Sequence, residues 1–279
     1  MSPPVKKTLI NMLLVLCALV LGGCDEMRDR RPPPEPPTML NDIAWDVDER
    51  LGYTVYILED GEYVPYLVLT NDFNGSENVL LLRQYLLDEL RVYRYFYEWL
   101  QFDPSVVPSY YGDSDIDAFL NSEFYEKLCS ATRDSIIDSS IEIIDLGSIG
   151  IGGQETISID RKIFLLSFNE ANGNLSRSSP IPRFALEGMV LAYFSSRLSR
   201  IAYHTNGEAG SWWLRSPNNA NSNVVAAVLY EGSIGSVPID AFGPVEEIGA
   251  VRPAFCLPRD TPIKEREIDG EMVFVLDLG

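Results

Sequence analysis

Hydrophobic and polar positions alternate with period two over several short stretches, and these predict most of the elements. Thr54-Val55-Tyr56-Ile57-Leu58 and Tyr63-Val64-Pro65-Tyr66-Leu67-Val68-Leu69 are β-rich runs around Asp60-Gly61, a strong turn dipeptide, and predict a hairpin. Pro65 cannot donate to a ladder, which places the second strand at a sheet edge or starts it at a bulge. Val79 to Leu87 suits a buried strand, while Leu81 to Trp99 taken whole also fits a helix. Strand is the favoured reading for the first part, with helix or irregular chain for Arg91 to Trp99. Ser114-Asp115-Ile116-Asp117 has the form of a capping box. It opens a helix with Ile116, Phe119, Leu120 and Phe124 on one face. A short helix over Ser130 to Ile137 follows, then strands over Ile141 to Asp145 and Ile157 to Ile159, separated by the glycine-rich connector Gly147 to Gly153. Lys162 to Ser167 predicts a buried strand and Leu175 to Pro182 a loop. Leu191, Phe194, Leu198 and Ile201 recur at helix period and predict a helix over Phe184 to Tyr203. A strand through Trp212-Trp213-Leu214-Arg215 leads into an asparagine-rich loop, Asn218 to Asn223. Val224 to Tyr230 is the next strand, turned by Glu231-Gly232-Ser233. Val251 to Leu257 is another, and Arg266 to Leu276 is a second Asp-Gly hairpin at Asp269-Gly270.

The first residues stand apart from this pattern. Lys6 and Lys7 precede an apolar stretch, Leu9 to Leu21, that is shorter than the roughly 20 residues a membrane span needs. Leu21-Gly22-Gly23-Cys24 closes it with two small residues before a cysteine, which resembles the lipobox of bacterial lipoproteins. That resemblance implies a signal peptide over residues 1–23 and acylation of Cys24. The protein is then expected to be lipid-anchored on a bacterial cell membrane, facing the exterior or the periplasm. Arg30-Arg31-Pro32-Pro33-Pro34-Glu35-Pro36-Pro37 reads as an extended proline-rich spacer within residues 24–44, followed by a single domain over 45–279.

Charge narrows the partners. With 22 basic and 41 acidic residues the chain carries a formal −19, which argues against nucleic acid and against lying flat on an anionic leaflet. No Asp-x-Asp-x-Asp-Gly loop supports a calcium site, and a single histidine, His204, excludes His-rich zinc centres. No metal, cofactor or catalytic constellation is expected. Of four cysteines, Cys129 and Cys256 remain in the mature domain; a bridge between them and two free thiols are both open, and free thiols are favoured.

Two short strands place an arginine in a core-like run: Trp212-Trp213-Leu214-Arg215-Ser216-Pro217 and Val251-Arg252-Pro253-Ala254. A half-buried guanidinium keeps its charge and needs a partner, so a structural ion pair or carbonyl clamp is the favoured role of Arg215 and Arg252. Together with Val79 to Leu87, Ile116-Asp117-Ala118-Phe119-Leu120-Asn121-Ser122-Glu123-Phe124 and Lys162-Ile163-Phe164-Leu165-Leu166-Ser167, these strands resemble an uncharacterised bacterial family, domain of unknown function 6273, over roughly Leu67 to Leu257. Asp117 and Phe119 depart from that family's more usual Arg and Trp. The family's layout is in turn similar to C-type-lectin-like and formylglycine-generating-enzyme-like domains. The resemblance implies an α+β fold of small twisted antiparallel sheets packed with two or three helices and long loops.

The expected function is a surface-tethered, non-catalytic binding module for a glycan or surface protein. Trp212, Trp213, Asn218, Asn219, Asn221 and Asn223 are the candidate ligand-binding residues, with the loop from Tyr230 to Gly249 beside them. A structural or assembly subunit of the cell envelope is the alternative. An oxidase of the formylglycine-generating kind, drawing on Cys129 and Cys256, is a third reading.

Overall fold

The two Asp-Gly dipeptides do what their φ preferences dictate. In the computed structural model, which describes residues 36–47, 54–95, 106–173, 183–239 and 249–279, Asp60 and Gly61 take φ of 47° and 89°. That tight turn matches strand twist and joins β1 (Thr54–Glu59) to β2 (Glu62–Thr70). β3 (Asn78–Arg83) follows, with Val79, Leu80, Leu81 and Leu82 all fully buried, which is why this strand has no polar face. The leader, Cys24 and the spacer through Glu35 lie outside the described residues, as do Phe96 to Trp99 and the predicted loop Leu175 to Pro182.

Ser114 caps α1 (Asp115–Phe119) by accepting the Asp117 N–H. A π turn over Leu120–Phe124 and α2 (Tyr125–Lys127) continue the helix. Ile116, Phe119, Leu120 and Phe124 are buried, as their spacing predicts. α3 (Ser130–Ser135), β4 (Ser139–Ile144), β5 (Thr156–Arg161) and β6 (Ile163–Phe164) come next. The predicted strand Lys162 to Ser167 ladders over its first part alone, because Ser167 turns into the N-cap of α4 (Phe168–Asn172). β7 (Ala202–Tyr203) and β8 (Ala209–Gly210) form a small ladder before β9 (Trp212–Asn218), β10 (Asn221–Val228) and β11 (Ile234–Pro238). β12 (Ala254–Pro258) precedes the second Asp-Gly hairpin, β13 (Ile263–Ile268) and β14 (Glu271–Leu276).

These strands form a seven-stranded sheet ordered β13-β14-β1-β2-β3-β12-β6, a three-stranded sheet β11-β10-β9, and two pairs, β4-β5 and β7-β8. All neighbours in the large sheet are antiparallel except β1 and β14. The fold is thus mixed α+β, dominated by sheets, with short helices.

Two expectations are corrected. Pro65 does not mark an edge, since β2 lies between β1 and β3. Its carbonyl accepts from Gln84 N, just past the end of β3. The missing Pro65 donor points the same way, to where the ladder has already stopped. The predicted helix over Phe184 to Tyr203 is instead irregular chain with two 3₁₀ turns, Ala192–Phe194 and Leu198–Arg200. Leu191 and Phe194 are buried, but Leu198 is 76% exposed, so the helical spacing there is coincidental. Gly188 at φ 68° ends any helix early, and Arg200 Nε is committed to the Gly232 carbonyl at 2.7 Å.

Candidate functional site

The two arginines lie in the core, Arg215 on β9 and Arg252 in the non-strand residues just before β12. That strand starts at Ala254 and not at Val251 as expected. Arg215, with no exposed surface, makes a two-pronged contact with Glu170: Nη1 to Oε2 and Nη2 to Oε1, both 2.7 Å. Its remaining donors reach the Leu165 and Glu142 carbonyls at 2.8 and 2.9 Å. Burial works against the charge, yet the Glu170 carboxylate outweighs it and holds the guanidinium above its ordinary value. Glu170 also completes the capping box of α4, accepting Ser167 N at 2.8 Å. Arg252 lacks a carboxylate. Its Nε donates to the Arg83 carbonyl at 2.9 Å, and its guanidinium lies 5.1 Å from the Trp212 ring centroid. With burial uncompensated by an anion, its pKa falls to about 10. Arg215 thus sits in a buried ion pair and Arg252 against backbone carbonyls and an indole ring.

Behind β9 sits an acid that sequence reasoning missed. Glu187 is fully buried, accepts Ile144 N at 2.7 Å and takes the Ser216 hydroxyl as a short hydrogen bond. Burial pushes its pKa up to about 7, with Arg215 pulling the other way. The neighbouring Glu142 accepts Gly188 N at 2.8 Å. This network holds β4, α4 and β9 together by side chains rather than by a common ladder.

The tryptophans are part of the same interior. Trp212 and Trp213 are 1% and 3% exposed, and their indole N–H groups donate to the Arg200 and Arg91 carbonyls at 3.1 and 2.8 Å. Neither ring presents a face to solvent, so the expectation that one stacks on a ligand is corrected: both belong to the core that supports the strand.

Beyond that core, the chain offers a loop end. The asparagine-rich loop is a tight hairpin with Asn219 and Ala220 at its tip, since β9 runs to Asn218 and β10 starts at Asn221. Asn218 Oδ1 accepts Ala220 N and Asn221 Oδ1 accepts Asn223 N, both at 3.0 Å, so two of the amides shape the turn. Asn219 is buried at 2%, whereas Asn221 and Asn223 are exposed and Asn218 is half-buried. Three segments fasten this tip. Gly152 N donates to the Asn219 carbonyl at 2.7 Å, Asn219 N to the Arg183 carbonyl at 3.0 Å, and Ser109 N to the Ser222 carbonyl at 3.0 Å. The glycine-rich stretch expected to be a plain connector is therefore tied down. Gly150 and Gly152, at φ 83° and 80°, hold Ile151 between them with 80% of its surface exposed. Tyr230 is 60% exposed, and residues 240–248 of the loop that follows lie outside the described residues.

The sulfur chemistry is plain. Cys129 and Cys256 are free. Cys256 is buried on β12, and burial pushes its thiol up to about 12, which keeps it protonated. His204 is not at a helix end; it sits in the β7–β8 turn with Nδ1 3.5 Å from Asp88. Among the described residues no helix is long and apolar enough to cross a membrane.

Residues 76–259 match the family described as a domain of unknown function (DUF6273). The chain belongs to that family. The matched stretch opens just before β3 and closes just after β12, so DUF6273 accounts for β3 to β12, including both arginines. β1, β2, β13 and β14 lie outside it and extend the large sheet outward from β3. Comparison with curated proteins and with solved structures finds no match.

Of the missed residues, Glu170 carried a readable signal, the Ser167-x-x-Glu170 spacing of a capping box. Glu187 and Ile151 carried none, because their roles depend on contacts distant in sequence.

Proposed function

We propose that this DUF6273 protein is an exported, lipid-anchored binding module that recognises its ligand through the loop end of β9 and β10. The anchoring rests on the basic, apolar, small-residue and Cys24 order of the leader. The observation that carries the recognition surface is Ile151, four-fifths exposed on a turn fastened to the Asn219 carbonyl of a hairpin tip that also exposes Asn221 and Asn223. An apolar anchor on a fastened turn, on the same loop end as exposed amides, suits a protein interface, which combines an apolar centre with a polar rim. A protein ligand is therefore favoured over a glycan. A C-type-lectin-like scaffold is proposed from the similarity of the family's layout to such domains, and the small antiparallel sheet β11-β10-β9 is compatible with it. The reading of a formylglycine-generating oxidase is disfavoured by the buried, protonated Cys256 thiol.

The test compares the wild-type chain with Ile151→Asp and with the double variant Asn221→Ala, Asn223→Ala, all in native membranes. Binding is scored against surface proteins of the same cells and against a glycan array. The proposal expects loss of a protein ligand in both variants with thermal stability unchanged. Ligand binding that survives both changes, or that appears on glycans alone, overturns it.

A further inference from the structure

Among the described residues, β5 has one edge to which no other strand is paired. β5 pairs with β4 alone, through a continuous antiparallel register from Ser139↔Arg161 to Ile144↔Thr156 without a bulge. The direction of its backbone groups follows from β4. Ile144 N donates to Glu187 and the Glu142 carbonyl accepts from Arg215, so these residues turn their backbone away from β5. Asp145 N, one residue on, donates to the Glu155 carbonyl and so faces it. Antiparallel pairs alternate in this way. Thr156 and Ser158, the partners of Ile144 and Glu142, therefore turn their own N–H and C=O groups outward, as does Asp160 opposite Ser140. All three residues are exposed. The Asp160 carbonyl accepts Arg161 Nη1 at 2.9 Å and must exchange that donor for one on an incoming strand.

Natural edges are usually blunted by charge, proline or bulges. By contrast β13, an edge of the seven-stranded sheet, exposes Lys264, Glu265, Arg266 and Glu267 in succession. β5 reads Thr156-Ile157-Ser158-Ile159-Asp160-Arg161, β-branched at three of its first four positions, with Ile157 39% exposed. An antiparallel two-fold centred on Ser158 makes this strand complementary to itself. Ser158 then faces Ser158 of a second copy, Thr156 faces Asp160, Ile157 faces Ile159, and Glu155 faces Arg161, whose Nε is held by Asp117 at 2.7 Å. The outward-pointing residues 156, 158 and 160 fall at the hydrogen-bonded pairs of that register, as the ladder requires, and no like charges are opposed.

We propose that β5 is a homotypic docking edge, pairing antiparallel with β5 of a second copy to form a continuous four-stranded sheet, β4-β5-β5-β4. Such a contact is isologous, the symmetry that closes a dimer. It uses the backbone edge of β5 and not the Ile151 turn that precedes this strand, so it does not rest on the proposed ligand site.

Cysteine crosslinking of the full chain in its own membrane tests it, in a Cys129→Ser background. The two-fold brings Ser158 Cα atoms within about 5.5 Å, inside disulfide reach. The two Thr156 residues are offset by four positions, about 13 Å along the ladder, which is beyond it. Mild oxidation of Ser158→Cys is expected to shift the chain to twice its monomer mass. Thr156→Cys alone stays monomeric, and Thr156→Cys co-expressed with Asp160→Cys crosslinks. A Ser158→Cys chain that remains monomeric, or that joins a protein of different mass, overturns the proposal, as does crosslinking of Thr156→Cys by itself. Should Ser158→Cys lose its native protease resistance, the Thr156→Cys and Asp160→Cys pair carries the test, and its failure to crosslink is equally decisive.

Discussion

Glu187→Gln isolates the buried acid behind β9. The Glu187 carboxyl has no exposed surface and no dedicated counter-ion, because Arg215 is already engaged by Glu170. Its pKa rises from an ordinary 4.5 to about 7. A carboxyl raised in the folded state holds a proton that the unfolded chain has released. Its stabilising contribution is thus complete below pH 4.5 and disappears as pH climbs through about 7. At about 1.4 kcal/mol per pH unit, that interval is worth about 3 kcal/mol. Glutamine keeps the shape and stays neutral: its carbonyl accepts Ile144 N, and its amide donates to Ser216 Oγ. Urea unfolding of both chains between pH 4.5 and 8 is the assay. The wild type is expected to lose about 3 kcal/mol more than the variant across that range, or about 10 °C in Tm for a domain of this size. Parallel stability curves for the two chains refute the reasoning.

Three further outcomes follow from the interior. Arg215→Met strands the Glu170 carboxylate in the core and costs about 3–5 kcal/mol in urea unfolding; adding Glu170→Gln recovers part of it. Cys256 stays unmodified by a thiol reagent in the native protein and reacts once the chain is unfolded, as read by mass spectrometry, because its thiol is buried and held protonated. Gly232→Ala lowers Tm: at φ 84° an added Cβ runs into the Arg197 carbonyl, a strain of about 1–3 kcal/mol.

The hairpins were legible because their information is local. Asp60-Gly61 and Asp269-Gly270 specify turns whatever surrounds them, and alternation in the flanking strands sets the buried face. The Ser114 cap and the apolar stripe after it were legible for the same reason. Phe184 to Tyr203 misled because spacing reports a face without reporting whether anything covers it, and Leu198 has no cover. The arginine strands announced a need for partners but not their identity. Glu170 lies 45 residues from Arg215 and Glu187 lies 29 from Ser216, separations that tertiary packing alone resolves. The loop end was half visible: the asparagines marked a turn, while the exposure of Ile151 depends on how Gly152 is fastened to Asn219.

The clasp at the start of the domain bears on how the protein carries tension. Leu40 N donates to the Thr261 carbonyl at 2.8 Å, Ile263 N to the Thr38 carbonyl at 2.9 Å, and Asn41 N to the Arg259 carbonyl at 3.2 Å. A pull on the chain ahead of Thr38 is met first by these bonds and passes into the segment between β12 and β13. The strands that take up that load, β13 and β14 with β1 beside them, lie outside the family core. Under the proposed tether, a ligand pulling at the β9–β10 tip loads the domain between that tip and Thr38, so the three bonds of the clasp stand in series with the anchor.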